Sequence, residues 1–197
     1  MVAVDADGAV MTRPWDVQVS IDAVGHDDAQ VRVVTSPGSS RPHILVRTGS
    51  VLVHCLDGAA VTSAASAWAA GQVRVGDWLP RQPAPRERPP GGFGDAYPAG
   101  SVILDGRQRW AISTAGEGLT VAIGCLHVQV RDRVALDTHV CAWAQASALA
   151  TRVYPGRAVP YAQLVRRAQI SSIRRAAGEP QAPPYRPVPG RRPRTRE

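Results

Sequence analysis

The chain repeats itself. Laid over a copy displaced by 75 positions, the 197-residue sequence brings Gly49 onto Gly124, Val53 onto Val128 and Asp57 onto Asp132. Ala67-Trp68-Ala69 falls on Ala142-Trp143-Ala144 and Pro80 on Pro155, with no gap between positions 49 and 80. A turn glycine, an acidic residue before an apolar stripe, a tryptophan in that stripe and a closing proline coincide in one register. This is the signature of a duplicated structural unit, which severely limits the folds open to the chain.

The pattern within each copy names its elements. In the first, Val17, Val19 and Ile21 alternate with polar residues, as in a half-buried strand. Val31 to Val34 reads as a second strand, after a turn at Gly25-His26-Asp27-Asp28. His43 to Arg47 and Ser50 to Cys55 form a hairpin across Thr48-Gly49. Asp57 suits a helix N-cap, since its carboxylate accepts an orphan backbone N–H. Val61, Ala64, Ala65 and Trp68 follow at helical spacing, with Gly71 as the expected stop. The second copy gives strands at Ser101 to Leu104 and Arg109 to Ser113, then a hairpin across Gly124. Asp132 caps a helix striped by Leu136, His139, Val140 and Trp143.

The predicted fold class is therefore α+β: two tandem ββββα repeats, with antiparallel sheets each carrying one helix, plus a C-terminal helix. The expected organisation is a loose N-terminus (1–15), repeat A (16–79), a linker (80–100), repeat B (101–155), a basic helix (156–178) and a disordered tail (179–197). The linker holds six prolines and four glycines, and prolines fix φ and remove donors. One repeat alone leaves an apolar sheet face uncovered. Two can share a core about a pseudo-twofold axis.

Composition bears on surroundings and partners. All 23 basic residues are arginine, and there is neither lysine nor asparagine, as a GC-rich coding sequence produces. Residues 1–150 hold 12 arginines against 14 acidic residues, whereas residues 151–197 hold 11 arginines against two glutamates. A near-neutral body with a strongly basic end favours a polyanionic partner. The start, MVAVDADGAVM, lacks the basic-then-apolar order of a signal peptide. No apolar stretch approaches the roughly 20 residues of a membrane helix. Three cysteines make no even disulfide framework. A reduced, cytoplasmic protein without a membrane span is expected.

Candidate reactive groups are few. Cys125-x-His127 and His139-x-Cys141 offer a zinc-like donor set. However, residues two apart on a helix point about 200° away from each other, so no metal or cofactor is expected. Small buried thiols and a satisfied core histidine at His139 are expected instead. His54 and Cys55 are strand neighbours and face opposite sides. No nucleophile–base pair passes geometric checks, and a non-enzymatic role is expected. Gly91-Gly92-Phe93-Gly94 lacks the residues of a phosphate loop. Trp68 and Trp143 lie on apolar stripes and read as core anchors, whereas Trp15, Trp78 and Trp110 have no such placement.

The arginines carry the functional signal. After Pro160, Tyr161, Leu164, Val165 and Ala168 mark one helix face, and Arg166, Arg167, Arg174 and Arg175 a broad arc opposite. Arg191, Arg192 and Arg194 follow in a proline-rich tail. These seven are the candidate nucleic-acid contacts, since the planar guanidinium fork fits phosphate oxygens.

Two resemblances bear on these residues. The order of elements is similar to the Whirly fold, whose members bind single-stranded DNA. The lysine-rich motif of its plant members is absent, so no DNA-contacting residue transfers. RPHILVRTGSVLVHCLDGAAVTSAASAWA, residues 41–69, resembles uncharacterised transfer or spread accessory proteins of actinobacterial plasmids and integrative elements. Together with the arginines, this implies a DNA-binding accessory protein of a mobile element, acting in plasmid transfer or maintenance. Its partner would be DNA, single-stranded DNA included, and homo-oligomers are compatible. The alternative is a protein–protein adaptor or assembly protein that uses sheet edges and the proline-rich tail.

Overall fold

The computed structural model describes residues 19–25, 29–35, 41–75, 78–83, 100–115 and 118–177. In chain order the elements are β1 (Val19–Ala23), β2 (Ala29–Thr35), β3 (Pro42–Thr48), β4 (Val51–Cys55) and α1 (Gly58–Val75). There follow β5 (Gly100–Leu104), β6 (Trp110–Ala115), β7 (Gly118–Ile123), β8 (Leu126–Val130), α2 (Arg133–Val153) and α3 (Tyr161–Ala176). The α+β class and the tandem ββββα order are those read from the sequence. Among the described residues no helix is long and apolar enough to cross a membrane.

The repeats are not two separate sheets placed side by side. One sheet runs β1-β8-β7-β6 and the other β2-β3-β4-β5. Three strands of each are antiparallel, and the fourth is the first strand of the other repeat, added parallel at one edge. A parallel neighbour needs a crossover connection, which α1 supplies between β4 and β5. The two exchanges share one register. Val19 pairs with Leu126 and Gly100 with Val51, and Leu126 lies 75 positions after Val51, so the same rule of pairing is used twice. The helices are exchanged too: α1 packs on β6 and β7, α2 packs on β2 and β3, and they pack on each other. Neither repeat therefore closes its own core.

A duplicated acidic clasp holds each exchanged strand. Asp132 accepts from the N–H of Ala135 at 2.8 Å as the N-cap of α2, and from the N–H of Gly25 at 2.8 Å just past β1. Asp57 does the same with Ala60 at 2.7 Å and with Gly106 at 3.1 Å just past β5. Gly25 and Gly106 have φ of +66° and +64°, a conformation that L side chains rarely adopt. Each carboxylate thus joins a helix start to the partner strand's end, and the sequence pattern showed only the first of these bonds.

The core is built as the apolar pattern implied. Ile44, Val46, Val53, Leu119, Val121, Ile123 and Val128 point inward from the sheets, and Trp68 and Trp143 are buried anchors. Two expectations need correction. Gly71 does not stop α1, which continues to Val75. A Cβ there would lie 3.3 Å from Leu119 Cδ2, so the glycine allows the helix close to β7. His139 is buried against Trp68, its ring stacked at 4.4 Å and 6°. Yet among the described residues neither of its ring nitrogens, nor Trp68 Nε1, has a hydrogen-bond partner, so the core histidine is not satisfied there.

Candidate nucleic-acid interface

The third helix is held on the body by small residues and a short tether. Ala65 and Ala69 of α1 present a shallow surface on which Leu164 is buried, flanked by Val159, Tyr161 and Val165. Before α3 begins, Ser147 Oγ donates to Val159 O at 2.7 Å and Val159 N–H donates to Thr62 Oγ1 at 3.2 Å. Pro160 is the N-cap, with the φ of −58° that its ring imposes and an extended ψ of 140°. Tyr161 OH reaches Gln72 Oε1 at 3.4 Å, and burial, with the nearby Cys141, pushes its phenol pKa up. Leu164 is the one buried residue of α3; beyond it the helix projects over the body.

That projection encloses a groove of about 580 Å³ between α1, the edge strand β6 and α3. Arg74 of α1 and Arg167 and Arg175 of α3 line it, together with Trp110, Ile112 and Leu164. All three arginines are exposed, Trp110 is 43% exposed, and among the described residues no carboxylate lines the groove. Ala70 and Ala168 keep the floor shallow. Three cations thus meet an indole on a concave, half-apolar surface.

The structure divides the candidate arginines. Arg166, Arg167, Arg174 and Arg175 are all exposed on α3. Arg167 and Arg175 turn to the groove. Arg174, seven residues after Arg167, stands on the same side of the helix. Arg166 lies on the far side with Ile170 and Ile173, which are 44% and 69% exposed. Arg191, Arg192 and Arg194 lie outside the described residues. Sequence reasoning missed Arg74, because α1 was read as ending at Gly71, and it left Trp110 unplaced.

The other candidate chemistry is dispersed. Cys125 and Cys141 are exposed, which corrects the expectation of buried thiols; only Cys55 is buried. His139 is fully enclosed while Cys141 faces outward, and no group of three metal-ligating side chains occurs among the described residues. Cys55 points into the core, where burial, with Asp57 nearby, pushes its thiol pKa up to about 12. His54 turns to the opposite face, where its Nδ1 lies 3.3 Å from His43 Nε2. Partial burial and the neighbouring His43 lower its pKa.

Comparison with protein-family models, with curated proteins and with solved structures finds no match.

Proposed function

We propose that this protein is a non-enzymatic nucleic-acid-binding protein whose arginines hold the phosphate backbone. The observation that carries the reading is the gathering of Arg74, Arg167 and Arg175, from two helices far apart in sequence, around one groove whose lining holds no carboxylate among the described residues. Guanidinium groups donate paired N–H bonds to phosphate oxygens, and each neutralised phosphate releases counterions. Arg174 extends the same side of α3. Arg191, Arg192 and Arg194 would add contacts beyond the described chain. Phosphate contacts position a strand without reading its sequence.

The setting, an accessory protein of a plasmid or integrative element in the cytoplasm, rests on the sequence resemblance and the odd cysteine count. The test is fluorescence anisotropy with labelled single- and double-stranded oligonucleotides across a salt series. The full chain is compared with one ending at Ala177, which lacks Arg191, Arg192 and Arg194. The reading expects affinity that falls steeply with salt, with a substantial part kept by the shortened chain. Absence of binding at low salt defeats it.

An adaptor role is the second reading, favoured by β2 and β6, each an edge strand of its sheet among the described residues, which can accept an added strand. It expects salt-tolerant association of the protein with itself or a partner, measurable by light scattering.

A further inference from the structure

The duplication supplies an internal control for the groove. Thr48 and Ile123 are equivalent across the repeat, and their strand partners are Ala29 and Trp110. By the same mapping, Ile112 corresponds to Val31 and Arg74 to Leu149. The scaffold therefore sets an edge strand beside a helix twice. In one copy the positions hold alanine and a partly buried leucine; in the other they hold an exposed indole and a guanidinium. The equivalent positions of the other copy thus do without an indole and a guanidinium, which sets Trp110 and Arg74 apart. Only this copy is also covered by α3, which brings Arg167 and Arg175.

We infer that the groove is a nucleotide site, in which one base stacks on Trp110 while its phosphate is held by Arg74, Arg167 and Arg175. The form in which the nucleotide belongs to a strand rests on the nucleic-acid reading above. Trp110 stands on the helix-facing side of β6, in register with the buried Ile123, so its ring faces the groove instead of the outer sheet surface. Every nucleobase has a π-face, and stacking on an aromatic side chain tolerates all of them. Ile112 and Leu164 supply apolar walls, and the volume of about 580 Å³ falls within the range of roughly 300–1,000 Å³ that holds small ligands. A base inside a duplex is stacked on both sides, so the groove selects an unpaired base. Two sources offer that chemistry: an unpaired base in a strand and a free mononucleotide.

The experiment measures binding of a short oligothymidine, an abasic strand of equal phosphate count and a duplex, with a free nucleoside monophosphate as competitor. The full chain is compared with Trp110→Ala, Trp110→Phe and Arg74→Gln/Arg167→Gln, after far-UV circular dichroism has shown each to be folded. Removing the base or the indole is expected to weaken single-strand binding about 5- to 150-fold, the range of one stacked base. Trp110→Phe should keep most of the affinity, and the arginine variant should weaken every strand. Competition by the mononucleotide, lost in Trp110→Ala, makes free nucleotide the source; base-dependent strand binding without competition makes it the strand. Equal binding of abasic and thymidine strands, unchanged by Trp110→Ala while the arginine variant weakens both, overturns the nucleotide site and leaves the phosphate reading standing. If no strand binds but the mononucleotide does so through Trp110, the nucleic-acid reading fails and the site stands. If nothing binds, both fail.

Discussion

Replacing His139 by leucine should relieve acid instability built into the shared core. Burial lowers the imidazole pKa from 6.5 to about 4, and both ring nitrogens lack partners. Between these two values the unfolded chain binds a proton that the folded chain refuses. Stability contributed by this site is therefore complete above the unfolded value, declines as the pH falls below 6.5 and is fully lost below about 4. At 1.36 kcal/mol per pH unit, the whole interval amounts to about 3 kcal/mol, of which about 2 is lost by about pH 5. At neutral pH the exchange removes two unsatisfied nitrogens, each costing about 1–3 kcal/mol. It also gives up a ring stack worth about 0.5–1.5 kcal/mol, so His139→Leu should be stabilising there by about 0.5 kcal/mol or more. Urea unfolding followed by far-UV circular dichroism, near pH 7 and pH 5, reads both quantities. The advantage of the variant should grow by about 2 kcal/mol at the lower pH. An advantage that does not change with pH would show that the His139 imidazole does not titrate between the two states.

Three further outcomes follow from the packing. Asp132→Ala, at a fully buried clasp, should cost about 2–4 kcal/mol in denaturant unfolding, because cap loss is joined by an orphaned Gly25 N–H; the same change at the part-buried Asp57 should cost less. A thiol reagent should label Cys125 and Cys141 in the folded protein, and Cys55 only on unfolding. Chains split between Gly91 and Gly92 should each stay unfolded alone and regain circular dichroism on mixing, since β1 pairs with β8 and β5 with β4; independent folding of either half would contradict the exchange.

What could be read from the sequence was what nearby residues decide. The hairpins at Gly49 and Gly124, the caps at Asp57 and Asp132 and the anchors Trp68 and Trp143 all depend on neighbours within a few positions. The exchange was not legible, because the alternation of β1 or β5 specifies one buried face without naming the sheet that buries it. Gly71 was misread because a glycine needed for helix–sheet contact and one that ends a helix look alike in sequence. The arginine signal on α3 was visible as charge. Its division between groove and far side was not, for it depends on where Ala65 and Ala69 receive Leu164. Arg74 and Trp110 lie on two elements that only the exchanged packing of α1 against β6 brings together.

The most direct test of the account compares two triple variants that remove the same charge. Arg74→Gln/Arg167→Gln/Arg175→Gln empties the groove of cations; Arg32→Gln/Arg152→Gln/Arg157→Gln removes three arginines that do not line it. Anisotropy with a single-stranded oligonucleotide across salt gives the log–log slope for each. The groove triple should lower the slope by about 2, at about 0.7 per lost phosphate contact, while the second triple leaves it near that of the unaltered protein. Equal slopes for the two triples would show that attraction is spread over the surface, and the groove would lose its place at the centre of the account.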